Sequence, residues 1–101
     1  MKKIINGKKY DTDTANKLAY YSNGLSISDF NHKYEALYVK RTGEYFLYGL
    51  GGAMTEYREV CGDGSFCGGE DIKPLSESEA KAWVEKYANY EYESTFGECA
   101  E

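Results

Sequence analysis

Between Glu35 and Ala53 the apolar positions fall into two runs, Leu37-Tyr38-Val39 and Tyr45-Phe46-Leu47-Tyr48, separated by the polar stretch Lys40 to Glu44. Tyr, Val, Phe and Leu suit a pleated, packed surface, and Gly43 supplies the positive φ of a tight turn, so the pattern predicts a hairpin joined at Thr42-Gly43. With those two as loop residues, Arg41 faces Glu44, Val39 faces Phe46 and Leu37 faces Tyr48. Tyr38 opposite Leu47 and Lys40 opposite Tyr45 then occupy the other side. Both faces carry apolar or aromatic groups. A two-stranded ribbon of this kind is not stable alone in water, so one face needs a helix and the other must be covered or used.

The flanking patterns supply the remaining elements. Ile4-Ile5, Asn6-Gly7 and Lys8-Lys9-Tyr10 predict a small hairpin with a two-residue turn, lysine-flanked as sheet edges often are. Asp11-Thr12-Asp13-Thr14 offers N-caps, and Ala15, Leu18, Ala19 and Ser22 recur at helical spacing, predicting a helix from Thr12 to Ser22 stopped by Asn23-Gly24. Residues 24–34 are a connection, with Leu25, Ile27 and Phe30 expected to pin it to the core. Partial alternation from Ala53 to Cys61 predicts a third strand, and Glu70 to Lys73 a short fourth one ended by Pro74. Ser76-Glu77-Ser78-Glu79 is a capping box opening a helix to about Ala88, with Ala80, Trp83, Val84 and Tyr87 as its buried stripe. Tyr90 to Phe96 adds a turn of helix, and residues 97–101 are expected to fray. The class expected is α+β: an antiparallel sheet of three to five strands, made of two hairpins plus one or two strands and packed by two helices, in a single domain over residues 1–101.

Composition changes this picture in two respects. Eleven Tyr in 101 residues exceed what so small a core can hold with every hydroxyl satisfied, so several rings must reach the surface, where tyrosine suits partner binding. The net charge of −5 is unevenly spread: residues 1–41 hold eight Lys or Arg against four Asp or Glu, and residues 42–101 hold four against thirteen. An acidic balance argues against an extensive grip on RNA or DNA and suits a basic groove on another protein. The four hairpin lysines could touch a phosphate backbone, but edge protection and solubility are the favoured explanation. From Glu77 to Glu101 seven Glu stand against Lys81 and Lys86, with Tyr87, Tyr90 and Tyr92 among them. Glu85, Tyr90, Glu91, Tyr92 and Glu93 are therefore the candidate partner-binding residues. No apolar run is long enough to span a membrane and the start turns polar too soon for a signal peptide, so the cytoplasm is the expected place.

Candidate chemistry is sparse. Cys61 and Cys67 are spaced wrongly for a zinc knuckle, so no metal is expected, and in a reducing cytoplasm the thiols are expected free, although a hairpin would let the two sulfurs face each other under oxidation. Gly49-Leu-Gly-Gly52 and the Gly62–Gly69 loop lack the Gly-Lys-Ser/Thr ending of a phosphate loop and are expected to be tight turns. The single histidine, His32, lies with Asp29 in a loop, and nothing marks a nucleophile. Neither a catalytic residue nor a cofactor is assigned.

Tyr21-Ser-Asn-Gly-Leu, Ser28-Asp-Phe30, Glu35-Ala-Leu-Tyr, Arg41-Thr-Gly-Glu-Tyr-Phe-Leu-Tyr-Gly, Gly51-Gly-Ala-Met-Thr55 and Ile72-Lys-Pro-Leu-Ser76 together resemble a family of small mobile-element and phage proteins of Gram-positive bacteria. The resemblance spans about residues 4–90. Some relatives in that family resemble anti-CRISPR proteins that act on type II effector nucleases. What the resemblance implies is a non-enzymatic inhibitor that binds such a nuclease in the host bacterial cytoplasm, with guide RNA loading as one step it could obstruct. It carries over no catalytic or binding motif. Two alternatives stand beside it: a small nuclease acting on guide RNA, and a regulatory or accessory protein of a mobile element with no nuclease target.

Overall fold

The computed structural model describes residues 1–101 as eight strands followed by short helices, an α+β arrangement built on antiparallel sheets. Strands β1 (Lys2–Ile5) and β2 (Lys8–Asp11) form the expected hairpin, with Asn6 and Gly7 both at positive φ (53° and 77°) as a two-residue primed turn requires. The main sheet has four strands in the order β3 (Asn16–Ser22), β4 (Lys33–Val39), β5 (Tyr45–Gly51) and β8 (Gly69–Leu75). Strands β6 (Glu59–Val60) and β7 (Phe66–Cys67) make a minor hairpin. Helix α1 (Glu77–Tyr87), a 3-10 turn over Asn89–Glu91 and helix α2 (Tyr92–Phe96) complete the chain.

The central hairpin is present, but its register differs by one residue from the one expected. Val39 faces Tyr45, Tyr38 faces Phe46 and Leu37 faces Leu47. The loop has three residues, Arg41 to Gly43, closed by Lys40 N donating to Glu44 O and Gly43 N to Lys40 O, with Gly43 left-handed at φ 91°. This is a type I turn completed by a left-handed glycine, which takes one residue more than a primed turn. Since side chains alternate, the slip re-sorts the faces. Ala19, Leu37, Leu47 and Leu75 lie on the side of α1, while Tyr38, Phe46, Tyr48 and Ile72 lie on the other.

The predicted helix over Thr12–Ser22 is strand β3. Asp11, Thr12 and Asp13 form a tight turn, in which Asp13 N donates to Asp11 Oδ1 and Ala15 N to Asp11 O. A bulge between Lys17 and Ala19 then inserts Leu18 and offsets the alternation. Apolar groups spaced by three and four are the sequence trace of that offset, and the free edge of β4 decides the outcome for strand. The expected third strand, Ala53–Cys61, shrinks to Glu59–Val60, because residues 52–58 turn: Thr55 Oγ1 donates to Gly52 O and Arg58 N to Thr55 O. The short fourth strand runs longer than expected, through Pro74, which an edge strand tolerates. Gly49 and Gly51 lie inside β5 rather than in a turn; a Cβ on Gly49 would overlap the Tyr57 ring. Leu25, Ile27 and Phe30, expected to pin the connection to the core, are exposed.

Helix α1 opens as its sequence predicts. Ser76 Oγ accepts from Glu79 N while Glu79 Oε1 accepts from Ser76 N, and Ala80, Trp83 and Val84 are buried against Ala19, Leu37 and Leu47. Under the helix lies Glu35, a buried carboxylate on β4. It accepts from Trp83 Nε1 at 3.1 Å and from the Tyr57 hydroxyl, and Lys33 Nζ stands 4.0 Å away. Burial and the Glu35 charge push the Tyr57 phenol well above the ordinary tyrosine range. The opposite face is covered only in part: Tyr10 of β2 packs on Phe46 and Ile72, so the β1–β2 hairpin shields the β5–β8 half.

Trp83→Ala removes a large buried ring together with a donor to a buried carboxylate. It should cost about 3–5 kcal/mol, lowering the melting temperature by about 12 °C or more in a thermal melt. Tyr57→Phe leaves Glu35 one donor short and should cost about 1–3 kcal/mol at neutral pH in urea titrations. Above about pH 10 the unfolded chain ionises Tyr57 while the folded chain does not, so wild-type stability falls as pH rises; this alkaline loss should be shallower in Tyr57→Phe.

Candidate interaction surface

Three exposed regions carry the residues able to meet a partner. The first is the C-terminal segment. Helix α1 stops at Ala88, whose buried methyl and N–H to Val84 O seat the next turn on the core. Helix α2 then folds back, placing Phe96 against Tyr45 (5.9 Å between ring centroids) and Tyr92 against Phe96 (5.2 Å). Tyr92 thus packs inward with one edge on an open cleft, whose lining includes Glu85, Asn89 and Glu93. Glu85 and Glu93 are exposed and form no ion pair, and Glu93 Oε2 accepts from Cys99 N at 3.0 Å. Glu91 is half-buried and accepts from the Ser94 hydroxyl at 2.9 Å. Tyr90 is 76% exposed and borders, with Glu91, a depression against Lys17, Leu18 and Tyr20 of β3. The five candidate residues therefore divide in two: Glu85, Tyr92 and Glu93 on one cleft, Tyr90 and Glu91 beside the β3 edge.

The second region is the uncovered half of the sheet. Directly paired residues share a face, so three rows cross it: Lys17–Tyr38–Phe46–Pro74, Tyr20–Ala36–Tyr48–Ile72 and Ser22–Tyr34–Leu50–Glu70. Tyr20 and Tyr34 stack at 6.1 Å, and Tyr38 stacks on Phe46 at 5.2 Å with planes 7° apart. Four tyrosines thus face outward from three adjacent strands. Burial, and the carboxylate of Glu70 that its hydroxyl bonds, hold the Tyr48 phenol far above the usual range. Burial raises Tyr38 as well.

The third region is the loop end of the sheet, where residues 25–32, 52–58 and the β6–β7 hairpin meet. Gly52 packs so closely on the Phe30 carbonyl, and Gly69 on that of Tyr57, that side chains are excluded from the floor. An open cleft of about 460 Å³ lies above it, rimmed by Ile27, Phe30 and Phe66 and reaching Leu50 on the tyrosine face. Ile27 is 79% and Phe30 68% exposed. The Arg58 guanidinium lies 4.3 Å from the Phe66 ring centroid. Asp29 and His32 line the same cleft and bond only through the backbone, His32 N donating to Asp29 O at 3.0 Å; of their side chains, His32 Nδ1 meets Leu25 O at 2.9 Å and Asp29 Oδ1 accepts from Asn31 N. Cys61 and Cys67 face each other across the minor hairpin with Cα atoms 5.9 Å apart, a span that a disulfide accepts. The β6–β7 pairing brings the two sulfurs together, as expected of a hairpin loop.

Comparison with protein-family models, with curated proteins and with solved structures yields no match for this chain.

The sequence points to the acidic segment and, as the next candidate, to the tyrosine-rich second face of the 35–50 hairpin, but it does not assemble the open sheet face, because its pattern puts Tyr20 on a helix and Tyr38 opposite Leu47. It also misses Glu35, although a lone Glu heading the apolar run Ala36-Leu37-Tyr38 is the signal of a buried carboxylate with dedicated partners. If the loop end is a free surface, Ile27→Ser and Phe30→Ser should each change unfolding free energy by no more than about 0.5 kcal/mol in urea titrations, unlike any substitution under α1.

Proposed function

We propose that the protein is a non-enzymatic inhibitor that binds a type II RNA-guided effector nuclease and blocks it, with guide RNA loading as the step obstructed. The resemblance to the mobile-element family suggests the target class. The observation that carries the reading is the C-terminal acidic surface: Glu85 and Glu93 stand exposed and unpaired on one cleft, and Tyr90 projects beside Glu91. Effector nucleases of this kind hold guide and target in a positively charged channel. Unpaired carboxylates steer encounter with such a channel, and an exposed tyrosine adds contact area at low entropic cost. The protein then acts in the host cytoplasm, where the nuclease is assembled.

The Glu85→Lys, Glu91→Lys and Glu93→Lys triple variant should keep the fold, as none of the three sits in the core. It should slow association with the effector and weaken inhibition of DNA cleavage, and the wild-type association rate should fall as salt rises. Guide RNA incubated with the protein should stay full length. A triple variant that inhibits like wild type, with salt-independent binding, rules out the acidic surface as the contact; shortened RNA that His32→Ala restores to full length favours the nuclease alternative.

A further inference from the structure

The basic half of the chain has a structural counterpart that the acidic surface does not use. Lys9 of β2, with Lys40 and Arg41 at the end of β4, lines a recess with Asp11 and the hydroxyl-bearing Thr14 and Thr42. Lys17 stands at the same end of the sheet, paired with Tyr38 and with its ammonium 5.7 Å from the Tyr20 ring centroid. Lys40 is held in place, bonding Glu44 at 3.2 Å and lying 4.3 Å from the Tyr10 ring centroid. Lys9, Lys17 and Arg41 enter no ion pair. Beside them begins the tyrosine face, with Tyr38, Tyr20 and Tyr34 spread over two adjacent strands.

We propose that this basic recess and the tyrosine face form a binding site for a few nucleotides of single-stranded nucleic acid. The unpaired Lys9, Lys17 and Arg41 offer a phosphate its donors, and the tyrosines offer bases flat aromatic surface at the spacing of a pleated sheet. An open antiparallel sheet with outward aromatic rings and a basic margin combines the two elements that sequence-tolerant single-strand binding uses. Glu70 at one border and Glu91 at another repel phosphate, which limits the site to a short run and orients the backbone toward Lys9 and Arg41. A net −5 chain with no extensive grip on nucleic acid is compatible with such a short site. The inference goes beyond nuclease inhibition and does not depend on it.

The test uses the protein alone. A fluorescein-labelled eight-nucleotide oligouridylate titrated with wild-type protein should show saturable anisotropy. Log affinity should fall against log salt with a slope of about −1.4 to −2.1, as neutralising two or three phosphates of a single strand requires. Tyr20→Ala and Tyr34→Ala should each weaken binding about fivefold or more, while Tyr34→Phe, which keeps the ring, should bind like wild type. Lys9→Glu with Arg41→Glu should weaken binding and flatten the salt slope. Tyr20 is 54% exposed, so Tyr20→Ala should melt like wild type and read binding alone. The proposal is overturned if no saturable binding occurs at about 20 mM salt, where phosphate contacts are strongest. It is overturned equally if the tyrosine variants bind like wild type and heparin competes as well as unlabelled oligonucleotide, which would mark simple charge attraction.

Discussion

The buried carboxylate of Glu35 is the constraint around which the other elements are arranged. A carboxylate under a helix is costly unless it is given donors and a countercharge, and here they arrive from three parts of the chain: Trp83 of α1 and Tyr57 of the loop after β5 donate, and the Lys33 ammonium, two residues away on β4, stands 4.0 Å off. Each partner fixes its own element. Trp83 sets how α1 lies on the sheet. Tyr57 must cross β5, and does so where Gly49 leaves room for its ring. Lys33 is shared with Glu56 at 2.6 Å, which ties the same loop down again. Burial opposes the Lys33 charge, but the bond to Glu56 and the charge of Glu35 prevail and hold its pKa above the ordinary lysine value. Such a network rewards one arrangement, since a half-satisfied version leaves a charge stranded.

The second constraint is scarcity of covering material. The molecule measures 51 × 33 × 20 Å and only 15 of its 101 residues are buried, so one helix face and one small hairpin must serve both sides of a four-stranded sheet. Helix α1 covers one face. The β1–β2 hairpin reaches only the β5–β8 half of the other, anchored by Tyr10 on Phe46 and by the ion pairs Lys3–Asp71 and Lys8–Glu44. Lys8, Thr42 and Lys40 together draw the Glu44 carboxyl down to about 2. The half left open is filled with tyrosine, whose ring shields Ala36 and whose hydroxyl tolerates water. The abundance of tyrosine is thus a consequence of an under-covered sheet, and the same rings become available to a ligand.

Charge follows the same division. The basic segment builds the β1–β2 hairpin, β3 and β4 and the acidic segment ends in α1, the 3-10 turn and α2; Lys3–Asp71, Lys8–Glu44 and Lys33–Glu56 pair across the two, leaving Lys9, Lys17 and Arg41 unpaired at one end of the sheet and Glu85 and Glu93 unpaired on the C-terminal cleft. A partner of one sign is steered to one surface and turned away from the other. The loop end adds a third character: Ile27, Phe30 and Phe66 exposed around a glycine-floored cleft, an apolar group of the sort that marks contact surfaces.

What could be read from the chain alone was local: Asn6-Gly7, the Ser76–Glu79 capping box and the Ala80-Trp83-Val84 stripe all appear as their chemistry requires, since each is decided within one turn or one helix face. The α+β class and the central hairpin were legible for the same reason. The state of residues 12–22 was not, because a bulge at Leu18 imitates helical spacing and only the edge of β4 selects strand. The hairpin register turned on one residue, Gly43 in a left-handed bulge, and with it which tyrosines face outward. The donors of Glu35 lie up to 48 residues away in sequence, and no local pattern joins them. Short-range steric and hydrogen-bonding preferences are written in neighbouring residues; strand pairing, face assignment and the satisfaction of a buried charge exist only once distant segments meet.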